Sequence, residues 1–163
     1  MDHLSFIQSK IVLDLSELGN MLAIWNFKNQ KIVFTNGCFD IIHRGHVEYL
    51  AKAASHGEQL IIGLNTDASV KRLKGSARPV QDENTRALVL AAFSFVSKVV
   101  LFDEDTPYEL IKLIQPDILV KGGDYTPAEI VGYDIVTGRG GAVVTIELVE
   151  GQSTSTIIQR MSI

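Results

Sequence analysis

Five short apolar, β-branched runs alternate with stretches of helical periodicity along this chain, and that alternation constrains the fold more than any other feature. The runs cover residues 32–35, 60–64, 99–102, 118–120 and 142–146. Apolar at successive positions, they predict strands buried on both faces. Helical patterns occupy residues 47–55, 83–93, 106–114 and 153–161. Strand followed by helix, repeated, implies right-handed crossovers and a parallel sheet with helices on both faces. The expected fold is therefore α/β, a Rossmann-like doubly wound sheet of about five parallel strands in the order 3-2-1-4-5. Ligands of such sheets sit beyond the carboxyl ends of the strands, and every motif below follows a strand end.

Punctuation agrees. Gly57 can end the first of these helices, Pro79 lies in the loop before the next, and Pro107 suits a first helical turn after Thr106. Residues 1–29 carry an amphipathic pattern, Leu13, Leu15, Leu18, Met21, Leu22 and Trp25, of an additional helix. At 163 residues and 46% apolar, the chain reads as a single domain, a helical lead-in over 1–29 and a core over 30–163.

Charge and cysteine content narrow the function classes. A formal charge of −4 disfavours nucleic acid as the main partner, because phosphate-backbone binding leans on a basic surface. One cysteine, Cys38, excludes an intrachain disulfide and any multi-cysteine metal site, and the N-terminus lacks a signal-peptide pattern. No apolar run approaches the roughly 18 residues of a membrane span. A cytoplasmic protein with no membrane partner is expected.

The chemistry concentrates after the first run, in TNGCFDIIHRGH. Asn36 and Gly37 break the strand, Cys38, Phe39 and Asp40 form a loop, and His43, Gly45 and His46 open a helix. A helix start exposes unpaired N–H groups and the positive end of the macrodipole, so it favours an anion. Gly45 permits close approach, and His43 and His46, one turn apart, can face the same side. Either the pair binds phosphate, or it is an ordinary helix start with two surface histidines. Asp40 contacts substrate or orders the loop.

Near the C-terminus, EGQSTSTII places Gly151, Ser153, Thr154, Ser155 and Thr156 at a second helix start. Their hydroxyls can cap that helix, and its amides and hydroxyls can also receive phosphates. The segment VKRLKGSARPV supplies cations, with Lys71, Arg72, Lys74 and Arg78 read as a loop after the second strand and Lys71 and Lys74 as its functional members. After the fourth strand, Lys121 meets a phosphate or ends the strand, and the pair Gly122 and Gly123 permits a tight turn over a flat base. No metal-ligand cluster is visible, so a divalent ion is expected to arrive with the nucleotide.

The phrase G-x-F-D-x-x-H-x-G-H, met here by Gly37, Phe39, Asp40, His43, Gly45 and His46, resembles the cytidylyltransferase-like nucleotidyltransferases, as does G-x-S-[ST]-[ST]-x-I at Gly151 to Ile157. The resemblance covers about residues 31–160 and implies an enzyme that transfers a nucleotidyl group, with Mg2+ arriving with ATP. It implies that His43 and His46 hold the nucleotide phosphates, with His46 stabilising charge on the α-phosphate. By the same likeness, Arg86 lies near the triphosphate and Asp124 near the nucleotide. Cys38 stands where many relatives have Ser or Thr, and is read as a loop residue near phosphate. Among branches of the family, whole phrases are most similar to the heptose 1-phosphate adenylyltransferases, which implies ATP and a sugar 1-phosphate as substrates and a homodimer or higher homo-oligomer. The kinase half that accompanies this domain in bifunctional enzymes is absent from the chain, which suggests a stand-alone transferase. The alternative is a cytidylyltransferase of glycerol 3-phosphate or another alcohol phosphate, or an enzyme similar to FAD synthetase. Against the cytidine reading, the R-T-E-G-I-S phrase of the glycerol-phosphate enzymes becomes Leu148 to Ser153 and loses its arginine.

Overall fold

Alternation along the central strand sets the two layers of the core. Ile32 and Phe34 point to one face of the sheet, Val33 and Thr35 to the other, and all four are buried. The computed structural model describes residues 2–123, 125–149, 151 and 153–161. Its elements in chain order are α1 (His3–Gln8), β1 (Ile11–Val12), α2 (Leu15–Phe27), β2 (Ile32–Gly37), α3 (Arg44–Ala54), β3 (Gln59–Asn65) and α4 (Asp67–Lys74). There follow α5 (Glu83–Ala91), β4 (Lys98–Phe102), α6 (Tyr108–Ile114), β5 (Ile118–Gly122), a 3-10 turn at Pro127–Glu129, α7 (Tyr133–Gly138), β6 (Ala142–Ile146) and α8 (Thr154–Met161).

The sheet is parallel throughout, in the order β1-β4-β3-β2-β5-β6. The five expected strands are β2 to β6, and they lie in the expected order. Register is fixed on both sides of β2, where Val33 pairs with Leu60 and Ile118, and Phe34 with Ile61 and Leu119. A slip of one residue would exchange the two faces, which differ in their helices, and would break both layers at once. On one face, Tyr49, Leu50 and Ala53 of α3 and Ala87, Leu90 and Ala91 of α5 cover Val33, Leu60, Ile62 and Val99. On the other, Leu18 and Leu22 of α2, Ile111 and Ile114 of α6 and Val136 of α7 cover Ile32, Phe34, Ile61 and Val100. The result is the α/β, Rossmann-like sheet read from the strand pattern.

Three expectations are corrected. The lead-in is not helix alone. Ile11–Val12 adds a sixth strand at the β4 edge, too short to show a period, and Leu13 and Leu15 stay exposed while Leu18 and Leu22 bury. The basic segment is not a loop, because Asp67–Lys74 is helical. The Thr66 hydroxyl caps it by accepting from the Ser69 amide at 3.2 Å, and Val70 anchors it at zero exposure. Its single buried apolar side chain left too little periodicity to register. Finally, α6 starts at Tyr108, with Pro107 as its N-cap. Among the described residues, no helix is long and apolar enough to cross a membrane.

Candidate active site

All strands run the same way, so the loops after β2, β3, β4 and β5 gather at one end of the sheet. The loop after β2 turns sharply there. Phe39 adopts a left-handed backbone at φ 42° and is buried at 6% exposure, an uncommon conformation for an aromatic residue and one that marks a constrained loop. Gly37 packs closely beneath it, where a Cβ would come within 3.0 Å of the Phe39 ring. The ring in turn meets His46 edge-on, with centroids 5.3 Å apart.

His43 caps α3 from an extended backbone, and its main-chain oxygen accepts from the His46 amide at 2.9 Å. That geometry stacks the two imidazoles, with centroids 3.9 Å apart and planes inclined by 26°. Burial, with His43 alongside, pushes the His46 pKa down to about 4, and burial lowers His43 as well. Both rings are therefore neutral at pH 7. Neither Nδ1 has a hydrogen-bond partner among the described residues, although both are buried. Buried polar atoms are rarely left unpaired, so each Nδ1 calls for a water or a ligand group. Beneath it, the Thr35 and Tyr49 hydroxyls bond at 2.6 Å and the Tyr49 hydroxyl donates to the Val120 carbonyl at 3.2 Å, tying α3 to β2 and β5.

The cleft above these residues has two lobes, of about 590 Å3 and about 380 Å3. Asn36, Gly37, Cys38, Phe39, His46, Lys74, Lys121 and Thr154 line both and so form their junction. The smaller lobe adds His43, Gly45, Tyr49, Gly122, Leu148, Val149 and Ser153. The larger adds Asn65, Leu73 and Arg78 on one side, Asp105, Thr106 and Pro107 after β4, Tyr125, Glu129, Ile130 and Val131 after β5, and Ser155. At the junction, Lys121 Nζ donates to Asn36 Oδ1 at 3.3 Å, and burial holds its pKa below the ordinary lysine value. Burial pushes the Cys38 thiol up, against the pull of Lys74, Arg86 and Arg78, and a protonated thiol suits a loop residue rather than a nucleophile. At α8, the Ser153 hydroxyl accepts from the Thr156 amide at 3.1 Å, while the Thr154 hydroxyl donates to the Ile41 carbonyl at 3.4 Å and so ties α8 to the histidine loop.

Thirteen of the residues singled out from the sequence thus face the cleft, and five described ones do not. Lys71 sits exposed on α4 away from the cleft, since the helix turns Lys74 inward instead. Gly151 forms a left-handed turn outside it, and the Thr156 hydroxyl bonds to Ser153. Arg86 is fully buried. Its Nε donates to the Gln81 carbonyl, Nη1 to the carbonyls of Cys38 and Asn65, and Nη2 to Asp67, so it holds the loops and does not line the cleft. Asp40 orders its loop and does not line the cleft. It is 2% exposed and accepts from Arg78 Nε at 2.6 Å and from the amides of Val80 and Gln81. Burial raises its pKa, but these donors together hold it below the ordinary carboxylate value. Asp124 lies outside the described residues.

Asp105, Thr106 and Tyr125 lie in phrases shared with the resembled family, but no residue chemistry marked them or Glu129 as lining. The physical signal in the chain was position, just after the carboxyl ends of β4 and β5. Among the described residues, no group of three or more His, Cys, Asp or Glu is placed to hold a metal ion.

Comparison with known proteins agrees with this geometry. Residues 34–160 match the cytidylyltransferase-like family. The chain is 54% identical over 151 residues to the bifunctional protein HldE of Caulobacter vibrioides, covering 93% of this chain and 31% of that protein. To the bifunctional protein HldE of Azorhizobium caulinodans it is 53% identical over 140 residues, 86% of this chain and 29% of that one. It thus spans less than a third of the length of these curated relatives. The lipopolysaccharide core biosynthesis protein of Thermoplasma volcanium superposes with a TM-score of 0.61 at 26% identity, covering 76% of this chain and 99% of that one. The pantoate-beta-alanine ligase of Francisella tularensis, at 15% identity and a TM-score of 0.59 over 89% of this chain and 68% of that one, shares the fold.

Proposed function

The chain belongs to the cytidylyltransferase-like nucleotidyltransferases, and from that premise we propose that it is an adenylyltransferase moving AMP from MgATP to D-glycero-β-D-manno-heptose 1-phosphate. A phosphate oxygen of the sugar 1-phosphate attacks the α-phosphorus, the bond to the bridging oxygen breaks, and pyrophosphate leaves beside ADP-heptose. The metal ion enters as part of the nucleotide substrate and neutralises phosphate charge.

The observation that carries this reading is the stacked His43 and His46 pair, neutral and with both Nδ1 atoms unpartnered among the described residues, at a helix start lining the cleft. Neutral imidazoles in a partly dry site are preorganised hydrogen-bond donors for charge that builds in the transition state. His46 lies at the junction of the lobes and takes the α-phosphate. His43, Ser153 and the first amides of α8 take the outer phosphates, and Lys121 neutralises the departing pyrophosphate. Gly122, Tyr49 and Leu148 line the part of the smaller lobe in which the base is seated. The choice of acceptor is supported by the identity to the proteins named HldE and by the likeness to a lipopolysaccharide core biosynthesis protein.

Pyrophosphate release from MgATP and MgCTP, each with D-glycero-β-D-manno-heptose 1-phosphate or glycerol 3-phosphate, tests the assignment. Turnover confined to ATP with the heptose phosphate is expected. Turnover of CTP with glycerol 3-phosphate overturns it, as does silence in all four mixtures.

A further inference from the structure

The larger lobe has a charge pattern that the nucleotide does not use. Two cations, Lys74 and Arg78, share it with two carboxylates, Asp105 and Glu129, and with the ring of Tyr125. Arg78 is held ready. Asp40 accepts from its Nε at 2.6 Å, while Nη1 and Nη2 have no partner among the described residues, and the side chain is only 19% exposed. A planar guanidinium fixed at one edge presents its remaining donors as a fork for phosphate. Lys74 likewise carries no partner among the described residues and reaches the junction with the nucleotide lobe.

The carboxylates point to the rest of the ligand. An ionised carboxylate only accepts hydrogen bonds, so a wholly anionic ligand would be repelled there. Asp105 gives one oxygen to Arg72 Nε at 3.1 Å and keeps the other free, and the Glu129 carboxylate has no hydrogen-bond or ion-pair partner among the described residues. Neutral donors, the hydroxyls of a polyol, satisfy these acceptors without adding charge. Tyr125 offers the apolar face on which the C–H side of a sugar ring packs. Its ring folds back over Gly123, where a Cβ would approach it to 3.1 Å.

We infer that the larger lobe is the acceptor subsite, that Lys74 and Arg78 seat the phosphate of the acceptor, and that Glu129 and Asp105 select for a polyhydroxylated body by accepting from its hydroxyls. The inference rests on the adenylyltransferase reading for the neighbouring nucleotide lobe. Its volume of about 590 Å3 accommodates a sugar phosphate with room for water. A short alcohol phosphate would leave the carboxylates unpaired and is discriminated against for that reason.

Titration calorimetry provides the test, with and without the α,β-methylene analogue of ATP. The probes are D-glycero-β-D-manno-heptose 1-phosphate, glycerol 3-phosphate and inorganic phosphate. Glu129→Ala, an exposed position, should weaken heptose phosphate about tenfold, the value of one hydrogen bond to a charged group. It should leave inorganic phosphate and the ATP analogue within about twofold. Arg78→Lys should weaken heptose phosphate and inorganic phosphate together. Unchanged heptose phosphate affinity in Glu129→Ala overturns the inference, as does wild-type protein that binds heptose phosphate no more tightly than inorganic phosphate. If the ATP analogue binds in that last case, the nucleotide reading survives alone. If the analogue fails to bind the wild type while heptose phosphate binds through Glu129, the nucleotide reading falls and the polyol subsite stands.

Discussion

Arg86 donates through Nη1 to the main-chain oxygen of Cys38 at 2.6 Å, so a fully buried guanidinium on α5 fixes the loop that carries the family's first motif. The same side chain reaches the Asn65 carbonyl at the end of β3 and the Asp67 carboxylate at the start of α4. Three elements converge on one cation, and the cleft is shaped by a residue that does not line it.

Removing that cation should cost fold rather than chemistry. Arg86→Ala leaves a carboxylate and three carbonyls short of donors, and a loss of about 3–5 kcal/mol is expected, as for breaking a buried ion pair. Arg86→Lys keeps the charge but not the fork and should lower the urea midpoint with an unchanged slope. A midpoint equal to wild type for Arg86→Lys would remove the loop-holding role.

His46→Ala should lower kcat by about 10²–10³, the usual loss for one donor aimed at developing charge. The KM for ATP should move far less, because the interaction is made chiefly in the transition state. Near-normal turnover in folded protein, with folding checked by circular dichroism, sinks the assignment.

Acid should act on this protein through the same ring. His46 is held down to about 4 by burial and by His43, against 6.5 as the ordinary value that the unfolded chain restores. Between those values the unfolded state binds the additional proton, so stability rises with pH across that window. The contribution is complete above pH 6.5 and is lost as pH falls toward 4. His46→Asn should therefore flatten the change in urea midpoint between pH 7 and pH 5. An equal slope in both proteins would place the acid sensitivity elsewhere.

Gly122→Ala should crowd the part of the smaller lobe in which the base is seated. Its Cβ would come within 2.7 Å of the Leu148 side chain and 3.2 Å of the Tyr49 ring, and the backbone there does not need glycine. Leu148 is 63% exposed and can swing aside, so stability should hold while the KM for ATP rises about tenfold, a mid-range overpacking cost. Steady-state pyrophosphate release at varied ATP is the measurement. An unchanged KM would move the base away from Gly122.

The sequence by itself determined the strands β2 to β6 and their burial between two layers of helices. Runs such as 32–35 and 60–64 bury side chains on both faces, and that requirement is local, so it is written in the runs themselves. It also placed the histidine motif at a helix start, since Gly45 and the spacing of His43 and His46 are short-range facts. Tertiary structure alone decided which charged residues face the cleft. Lys71 and Lys74 look equivalent in the chain, yet the rotation of α4 about buried Val70 turns only Lys74 inward. Nothing near Arg86 or Asp40 in the chain marks them for burial, but partners 48 and 38 positions away draw them into the interior. Glu129 and Asp105 meet in one lobe because parallel strands bring successive loops to the same edge, a juxtaposition that no local spacing records.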